Sequence, residues 1–105
     1  MTRVQIEWTR RACRDVLEIG DFIARDKPMA AAAWVRRLID TVERVATFPR
    51  SGRVVPEIDR RDIREVVFEN YRIVYLVGAT RIAILTVFES HRLLSGEDLD
   101  PTVSR

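Results

Sequence analysis

The sequence predicts an α+β fold, in which an antiparallel helical hairpin packs on a three- to four-stranded, mostly antiparallel sheet. Apolar residues recur at helical spacing from residue 10 to residue 47, and at every second position within residues 63–89. A short alternating stretch at the N-terminus adds a strand before the helices. The predicted order is strand, helix, helix, strand, strand, strand. The 105 residues fit one domain, 1–105, with a polar C-terminal tail at 94–105.

The first strand and the first helix are predicted from a change of period near Thr9. Val4, Ile6 and Trp8 alternate with polar residues, which is typical of a half-buried edge strand. Thr9 fits the N-cap of a helix that runs from Arg10 to about residue 24. We expect the buried stripe of this helix to contain Ala12, Val16, Ile19 and Ile23, widened by Leu17 and Phe22.

The second helix is predicted to begin at Pro28, because proline suits the first turn of a helix. It runs to about Thr47. Its apolar face is formed by Ala31, Trp34, Leu38, Val42 and Val45. Only three or four residues join the two helices, so they should lie antiparallel as neighbours.

Three strands are predicted in the second half, at 63–68, 71–77 and 81–89, with tight turns between them. In the middle strand, Tyr71, Ile73, Tyr75 and Val77 share one face, and Arg72 lies on the other. The last strand is apolar on both faces, which indicates a central strand covered on both sides. We expect the sheet face opposite the helices to be left with Arg72 and its neighbours.

The polar tail after Leu94 leaves two outcomes open. It contains Gly96 and Pro101. Either it forms a short helical turn around residues 97–99, or it becomes ordered only with a partner.

Composition excludes several classes of protein. Apolar residues make up 47% and charged residues 32% of the chain, as in soluble globular proteins. No window reaches the about 18 consecutive apolar residues of a membrane span. The N-terminus, Met1-Thr2-Arg3-Val4, has no signal-peptide pattern, so we expect a cytoplasmic protein without a membrane partner.

The side chains that hold metals are scarce. One cysteine, Cys13, and one histidine, His91, do not suffice for a structural zinc site, so no metal and no cofactor are predicted. Seventeen arginines stand against the single Lys27, at a formal net charge of +2. Arginine suits phosphates and acidic protein partners. The codon usage of a GC-rich genome also explains such an excess, and we favour that explanation for the excess as a whole.

Several short motifs together resemble the RelE/ParE superfamily, the toxins of bacterial type II toxin–antitoxin modules. They are the first helix with Asp15 and Ile19, Phe48-Pro49 at the end of the second helix, Gly52-Arg53-Val54-Val55-Pro56-Glu57, Arg64-Glu65, Tyr71-Arg72-Ile73-Val74-Tyr75 and His91-Arg92. The resemblance covers nearly the whole chain. It rests on the order and spacing of these motifs, since no single one of them is specific.

The resemblance implies a toxin that a cognate antitoxin holds inactive in a toxin–antitoxin hetero-oligomer. RelE-like and YoeB-like members cut messenger RNA on the ribosome, whereas ParE-like members inhibit DNA gyrase. We favour messenger RNA cleavage, with gyrase inhibition and an inactive antitoxin-binding relative as alternatives. A gyrase inhibitor of this type would be expected to present its helical hairpin to the target. The exposed arginines of that hairpin would be Arg10, Arg11, Arg14, Arg36 and Arg37.

The resemblance also implies a catalytic site. Glu57 matches the catalytic glutamate of the YoeB-like branch, Arg72 its phosphate-facing arginine and His91 its catalytic histidine. RNA cleavage needs a base for the 2′-OH, cations for the phosphate and an acid for the leaving oxygen. Three further arginines would bind the substrate: Arg53, Arg64 and Arg92.

Each catalytic candidate also has a purely structural interpretation. Glu57 fits an ion pair with Arg53 or Arg60 in a solvated loop, and Arg72 fits a cross-strand pair with Glu65. His91 fits an exposed strand end. Two features depart from the nuclease branches. Arg92 stands where the YoeB-like branch has a tyrosine, and the lysine-rich clamp of RelE proper is missing.

Overall fold

The fold is a helical hairpin on one face of a five-stranded sheet, as a computed structural model describes it for residues 3–103. The helices are α1 (Arg10–Ala24) and α2 (Pro28–Thr47). The strands are β1 (Gln5–Trp8), β2 (Arg53–Val54), β3 (Ile63–Phe68), β4 (Tyr71–Val77) and β5 (Arg81–Glu89). A 3₁₀ helix follows at Gly96–Leu99. Within the described part of the chain, no helix is both long and apolar enough to cross a membrane.

The sheet has the strand order β1-β5-β4-β3-β2, in which only β1 and β5 pair in parallel. The predicted class and element order are confirmed, and so is the interior position of β5. The predicted count of three to four strands is too low by β2. This strand contains two residues, Arg53 and Val54, and is too short to show an alternating pattern.

Thr9 ties the start of α1 to the sheet. Its hydroxyl oxygen accepts a hydrogen bond from the Ala12 backbone N–H at 3.1 Å, as the predicted N-cap should. The same hydroxyl lies 2.8 Å from the carbonyl oxygen of Ile84, to which it donates. The cap therefore fixes where α1 begins and also how the helix sits against β5.

The main core lies between the hairpin and the sheet. The predicted apolar face of α2 is buried throughout, and Trp34 packs edge-on to Tyr71 with ring centroids 5.4 Å apart. Burial of each large side chain here contributes about 1.5–3 kcal/mol. Leu17 and Phe22 differ from the prediction. They are 66% and 69% exposed, because they lie at the margins of the α1 stripe and not at its buried centre.

The second face of the sheet is covered, contrary to the expectation that Arg72 would be left open there. A smaller apolar cluster on this face includes Val55, Val74, Leu85, Phe88 and Leu94. The chain on either side of β3–β5 supplies the cover, at residues 55–58 and 94–99. The face is therefore a second, closed layer.

The tail takes the first of its two predicted outcomes, a helical turn at Gly96–Leu99. Beyond the turn, the Arg10 backbone N–H donates to the Thr102 carbonyl at 2.9 Å, and Val103 bridges to Thr9. Ser104 and Arg105 of the predicted tail, and Met1 and Thr2 of the N-terminal segment, lie outside the described residues.

Candidate functional site

The strand register brings Arg72 and Glu65 together on the second face of the sheet. Arg72 in β4 is directly opposite Val67 in β3. Glu65 is two residues before Val67, so Arg72 and Glu65 are diagonal neighbours on the same face. A two-residue turn, in which Glu69 has a φ of 55°, fixes this register. The predicted cross-strand contact between Arg72 and Glu65 is confirmed, with Arg72 Nε 2.6 Å from Glu65 Oε1.

Arg72 is the hub of the site. Its side chain is 6% exposed, and its Nη1 and Nη2 donate to the two oxygens of Glu57 at 2.8 and 2.9 Å. Nη1 also donates to the Arg92 carbonyl at 3.0 Å, and Nη2 lies 2.5 Å from Glu65 Oε1. The guanidinium carbon is 5.1 Å from the centre of the Phe88 ring. The carboxylates raise the pKa of Arg72, mainly through the hydrogen bonds to Glu57.

Glu57 lies in a tight turn after β2, where the backbone N–H groups of Ile58 and Asp59 both donate to the Val55 carbonyl. Its side chain is 18% exposed. Besides the paired bonds from Arg72, its Oε2 accepts from the Leu94 backbone N–H at 2.9 Å. The hydrogen bonds from Arg72 are the largest cause of a Glu57 pKa that falls from 4.5 to about 2. Glu57 therefore pairs with Arg72, not with Arg53 or Arg60.

Glu65 has no solvent exposure and bridges two arginines. Its Oε1 faces Arg72, while its Oε2 accepts from Arg53 Nε at 2.5 Å. The Arg53 side chain remains 64% exposed. A continuous chain of charge thus runs from Arg53 at the surface, through Glu65 and Arg72, to Glu57. A buried pair of this kind is costly to break, because the remaining charge is left without a partner.

A second buried carboxylate, Asp98, fastens the segment after β5. Its Oδ1 accepts from Arg11 Nη2 and from Arg92 Nη2, both at 2.7 Å. Its Oδ2 accepts from the backbone N–H of Ser95 at 3.0 Å. Burial acts to raise the pKa of Asp98, but Arg92 and the hydrogen bonds from Ser95 together hold it below its ordinary value. Sequence reasoning missed Asp98, although the spacing Ser95-x-x-Asp98 is that of a capping box.

The other predicted site residues differ in their access to the hub. Arg92 reaches it through its carbonyl, and its guanidinium lies 5.0 Å from the Phe88 ring centre while 44% of the side chain stays exposed. His91 follows the end of β5 and is exposed. Within residues 3–103, no hydrogen bond or ion pair reaches its side chain.

Arg64 is the exception, because it lies on the opposite face of the sheet. Successive residues of a strand point to opposite faces, so Glu65 faces Arg72 while Arg64 shares the helix-side face with its cross-strand partner Tyr75. Arg64 Nη1 donates to the carbonyls of Arg50 and Gly52 at 3.2 and 2.9 Å. It braces a loop there, and the prediction that it joins a phosphate clamp with Arg72 does not match this placement.

The cluster is a network of ion pairs and hydrogen bonds between carboxylates and arginines. Its carboxylates are all engaged by donors, and no group of three histidine, cysteine, aspartate or glutamate residues suited to a metal ion occurs in the described part of the chain. Within residues 3–103, the exposed cations of the cluster lie at its margins, on Arg53 and Arg92. The centre joins β3, β4, the Glu57 turn and the segment after β5.

The fold and these motifs match a known family over most of the chain. The sequence model described as "ParE toxin of type II toxin-antitoxin system, parDE" matches residues 6–94. The chain belongs to the ParE toxin family. The resemblance to RelE/ParE toxins predicted from the sequence is thereby confirmed. The residues matched to the ParE family include Arg72 and its partners Glu57 and Glu65, whereas Asp98 lies beyond them.

Curated relatives of this ParE-family chain carry toxin names. It is 38% identical over 94 residues to the putative toxin Y4kP of Sinorhizobium fredii, which covers 88% of this chain and 94% of the relative. It is 32% identical over 90 residues to the toxin RelE2 of Caulobacter vibrioides, with 85% and 98% covered. Both relatives are therefore matched over nearly their full length.

Two solved structures share the fold of this ParE-family chain. The chromosomal ParDE toxin–antitoxin system from P. aeruginosa has a TM-score of 0.70 at 21% identity, over 83% of this chain and 96% of that one. The toxin–antitoxin complex RelBE2 from Mycobacterium tuberculosis has a TM-score of 0.57 at 20% identity, over 84% and 99%. At this identity, the likeness extends to the fold.

Proposed function

We propose that this ParE-family chain is the toxin of a type II module, that a cognate antitoxin neutralises it, and that it acts by binding DNA gyrase rather than by cutting RNA. The observation that carries the choice of target is the state of Arg72 and Glu57. The resemblance to nucleases implies that Arg72 binds the phosphate and that Glu57 acts as the base. In this chain each is engaged by the other.

Arg72 has little left to offer a phosphate. Its five N–H groups make four hydrogen bonds to protein oxygens. Its Nη2 also lies 2.5 Å from Glu65 Oε1. Its side chain is only 6% exposed. A phosphate would have to displace two carboxylates that are already in bidentate or buried contact, and such contacts are the strong form of this interaction.

Glu57 is poorly suited to be a general base. Such a base works best when its pKa is near the operating pH, because it must be unprotonated at that pH and still bind a proton strongly. The pKa of Glu57 is about 2, lowered mainly by Arg72. A carboxylate this acidic accepts a proton weakly at neutral pH. Binding without chemistry does not require either residue to react.

Messenger RNA cleavage is the second candidate, and a specific observation favours it. Arg53 and Arg92 keep 64% and 44% of their side chains exposed at the margins of the cluster, with His91 exposed beside Arg92. Exposed cations next to a histidine would suit an RNA backbone. This function would need the Glu57–Arg72 pair to open when RNA binds.

The two targets can be separated in growing cells. The chain is induced in bacteria with and without its cognate antitoxin, and incorporation of labelled thymidine and labelled amino acids is followed in parallel. We expect growth arrest that the antitoxin relieves, with DNA synthesis falling before protein synthesis. Protein synthesis that falls first would favour RNA cleavage, and normal growth would contradict a toxin in that host.

A further inference from the structure

The loop after β5, residues 90–95, presents one apolar side chain to solvent. Leu93 is 74% exposed, while the next residue, Leu94, is 6% exposed and belongs to the second core. A single exposed leucine is common on protein surfaces and means little alone. What sets Leu93 apart is the frame that carries it.

The backbone of the 90–95 loop is held by hydrogen bonds on both sides of Leu93. The N–H of Ser90 donates to Asn70 and that of Arg92 to Glu89, at 2.9 and 3.1 Å. The Arg92 carbonyl accepts from Arg72, and the Leu94 N–H donates to Glu57. Leu93 therefore lies between two backbone groups that are bound by buried or half-buried charges.

The buried charges have a structural effect on the backbone of the 90–95 loop. A buried ion pair adds little to stability compared with apolar residues of the same volume. Its distinct effect here is to fix a loop that has no secondary structure of its own. A side chain on a fixed backbone loses less conformational freedom when it binds, so more of its contact energy appears as affinity.

We propose that Leu93 is the anchor through which this chain contacts its protein target, inserted in an apolar pocket with an acidic rim. Arg92, the residue before Leu93, supports that rim, because 44% of its side chain stays exposed although it also pairs with Asp98. The inference rests on the proposed function, a toxin that acts by binding. It assigns the contact to the 90–95 loop and not to the helical hairpin that the sequence suggested.

The hairpin supplies a matched control. Leu17 on α1 is 66% exposed, close to the 74% of Leu93, but it lies on a regular helix outside the charged frame. Leu93→Ala and Leu17→Ala remove the same atoms from two exposed positions. Neither change should affect folding, which thermal denaturation of both purified variants verifies.

The variants are compared in two assays, growth arrest after induction and inhibition of purified gyrase supercoiling. We expect Leu93→Ala to weaken inhibition at least tenfold, the size typical of an interface anchor, and to relieve growth arrest, while Leu17→Ala acts like the unchanged chain. Glu57→Gln, which keeps Leu93 but weakens its frame, should give an intermediate loss.

The outcomes separate this inference from the proposed target. Growth arrest without gyrase inhibition would refute gyrase as the target, yet loss of arrest in Leu93→Ala alone would still support the anchor. A Leu93→Ala variant within twofold of the unchanged chain in both assays would overturn the anchor. Loss in Leu17→Ala instead would overturn it too and would move the contact to the hairpin. A chain without any effect in either assay would overturn both ideas.

Discussion

Replacing Arg72 with methionine should destabilise this protein severely. Methionine keeps much of the side-chain volume against Phe88 but removes the guanidinium. Glu65, whose side chain has no exposure, would then keep only Arg53, itself 64% exposed. Glu57 would lose both bonds from Arg72.

The expected cost follows from this burial. Removing one partner of a buried ion pair costs about 3–5 kcal/mol, because the other charge stays in a medium that solvates it poorly. A domain of this size is stable by about 5–15 kcal/mol in total. The melting temperature should therefore fall by roughly 15–25 °C.

Urea unfolding, followed by circular dichroism, measures the effect. The control is Arg81→Met, which removes an ion pair with Glu7 in which Arg81 is 56% exposed. Such a surface pair contributes about 0–1 kcal/mol. The double variant Arg72→Met/Glu65→Leu keeps the measurement interpretable if the single variant does not fold. It removes the stranded charge and should recover at least half of the loss.

Two results would refute this reasoning. In the first, Arg72→Met would lose no more than Arg81→Met, and the buried network would then contribute nothing specific. In the second, Glu65→Leu would give no recovery in the Arg72→Met background, so the cost would not come from the uncompensated charge.

Three further predictions follow from the same cluster and its neighbours. The Glu57 pKa is depressed to about 2, so its stabilising effect is complete above its ordinary pKa of 4.5 and is lost as the pH falls towards 2. The stabilising effect amounts to at most about 3 kcal/mol, reduced by solvent screening. Glu57→Gln should therefore flatten the dependence of the unfolding free energy on pH between 5 and 2. An unchanged slope would contradict this. In Gly52→Ala, the new methyl would meet the Tyr75 hydroxyl, and it would lie 2.6 Å from the Glu65 carbonyl oxygen. We expect a loss of about 1–3 kcal/mol in thermal unfolding, against little change for Gly96→Ala, where nothing lies within 4 Å; equal effects would be inconsistent with the packing. Asp98→Asn should speed proteolysis within residues 90–103 while the helices stay protected from hydrogen exchange, and uniform protection would show that Asp98 does not fasten this segment.

The helices and four of the five strands were predictable from the sequence because their signals are local. Thr9 marks the start of α1 and Pro28 that of α2, and the link between the helices is short. The two-residue turn at Glu69-Asn70 fixes the β3–β4 register. β2 was not predictable, since two residues carry no period.

The candidate site was predictable only in part. The Arg72–Glu65 contact lies between adjacent strands, so the alternation of residues in β3 and β4 predicts it. The Arg72–Glu57 contact depends on how the Glu57 turn folds over the sheet, which no periodicity describes. The Arg11–Asp98 pair joins residues 87 positions apart, so it follows from the tertiary fold alone.

The cover on the second face of the sheet was missed for a related reason. A polar tail gives no reason to expect a core contact, yet Leu94 and Leu99 pack there. The charged network holds these residues in place. The polar and apolar parts of the tail must therefore be considered together.

The most direct test of the central claim is a purified-component assay of the unchanged chain on both targets. One arm scores messenger RNA on programmed ribosomes by primer extension, and the other scores DNA supercoiling by gyrase. We expect intact message and inhibited gyrase, with the inhibition relieved by the antitoxin. Cuts in the message that disappear in His91→Ala, with gyrase unaffected, would contradict it and would make the Glu57–Arg72 pair part of a nuclease site.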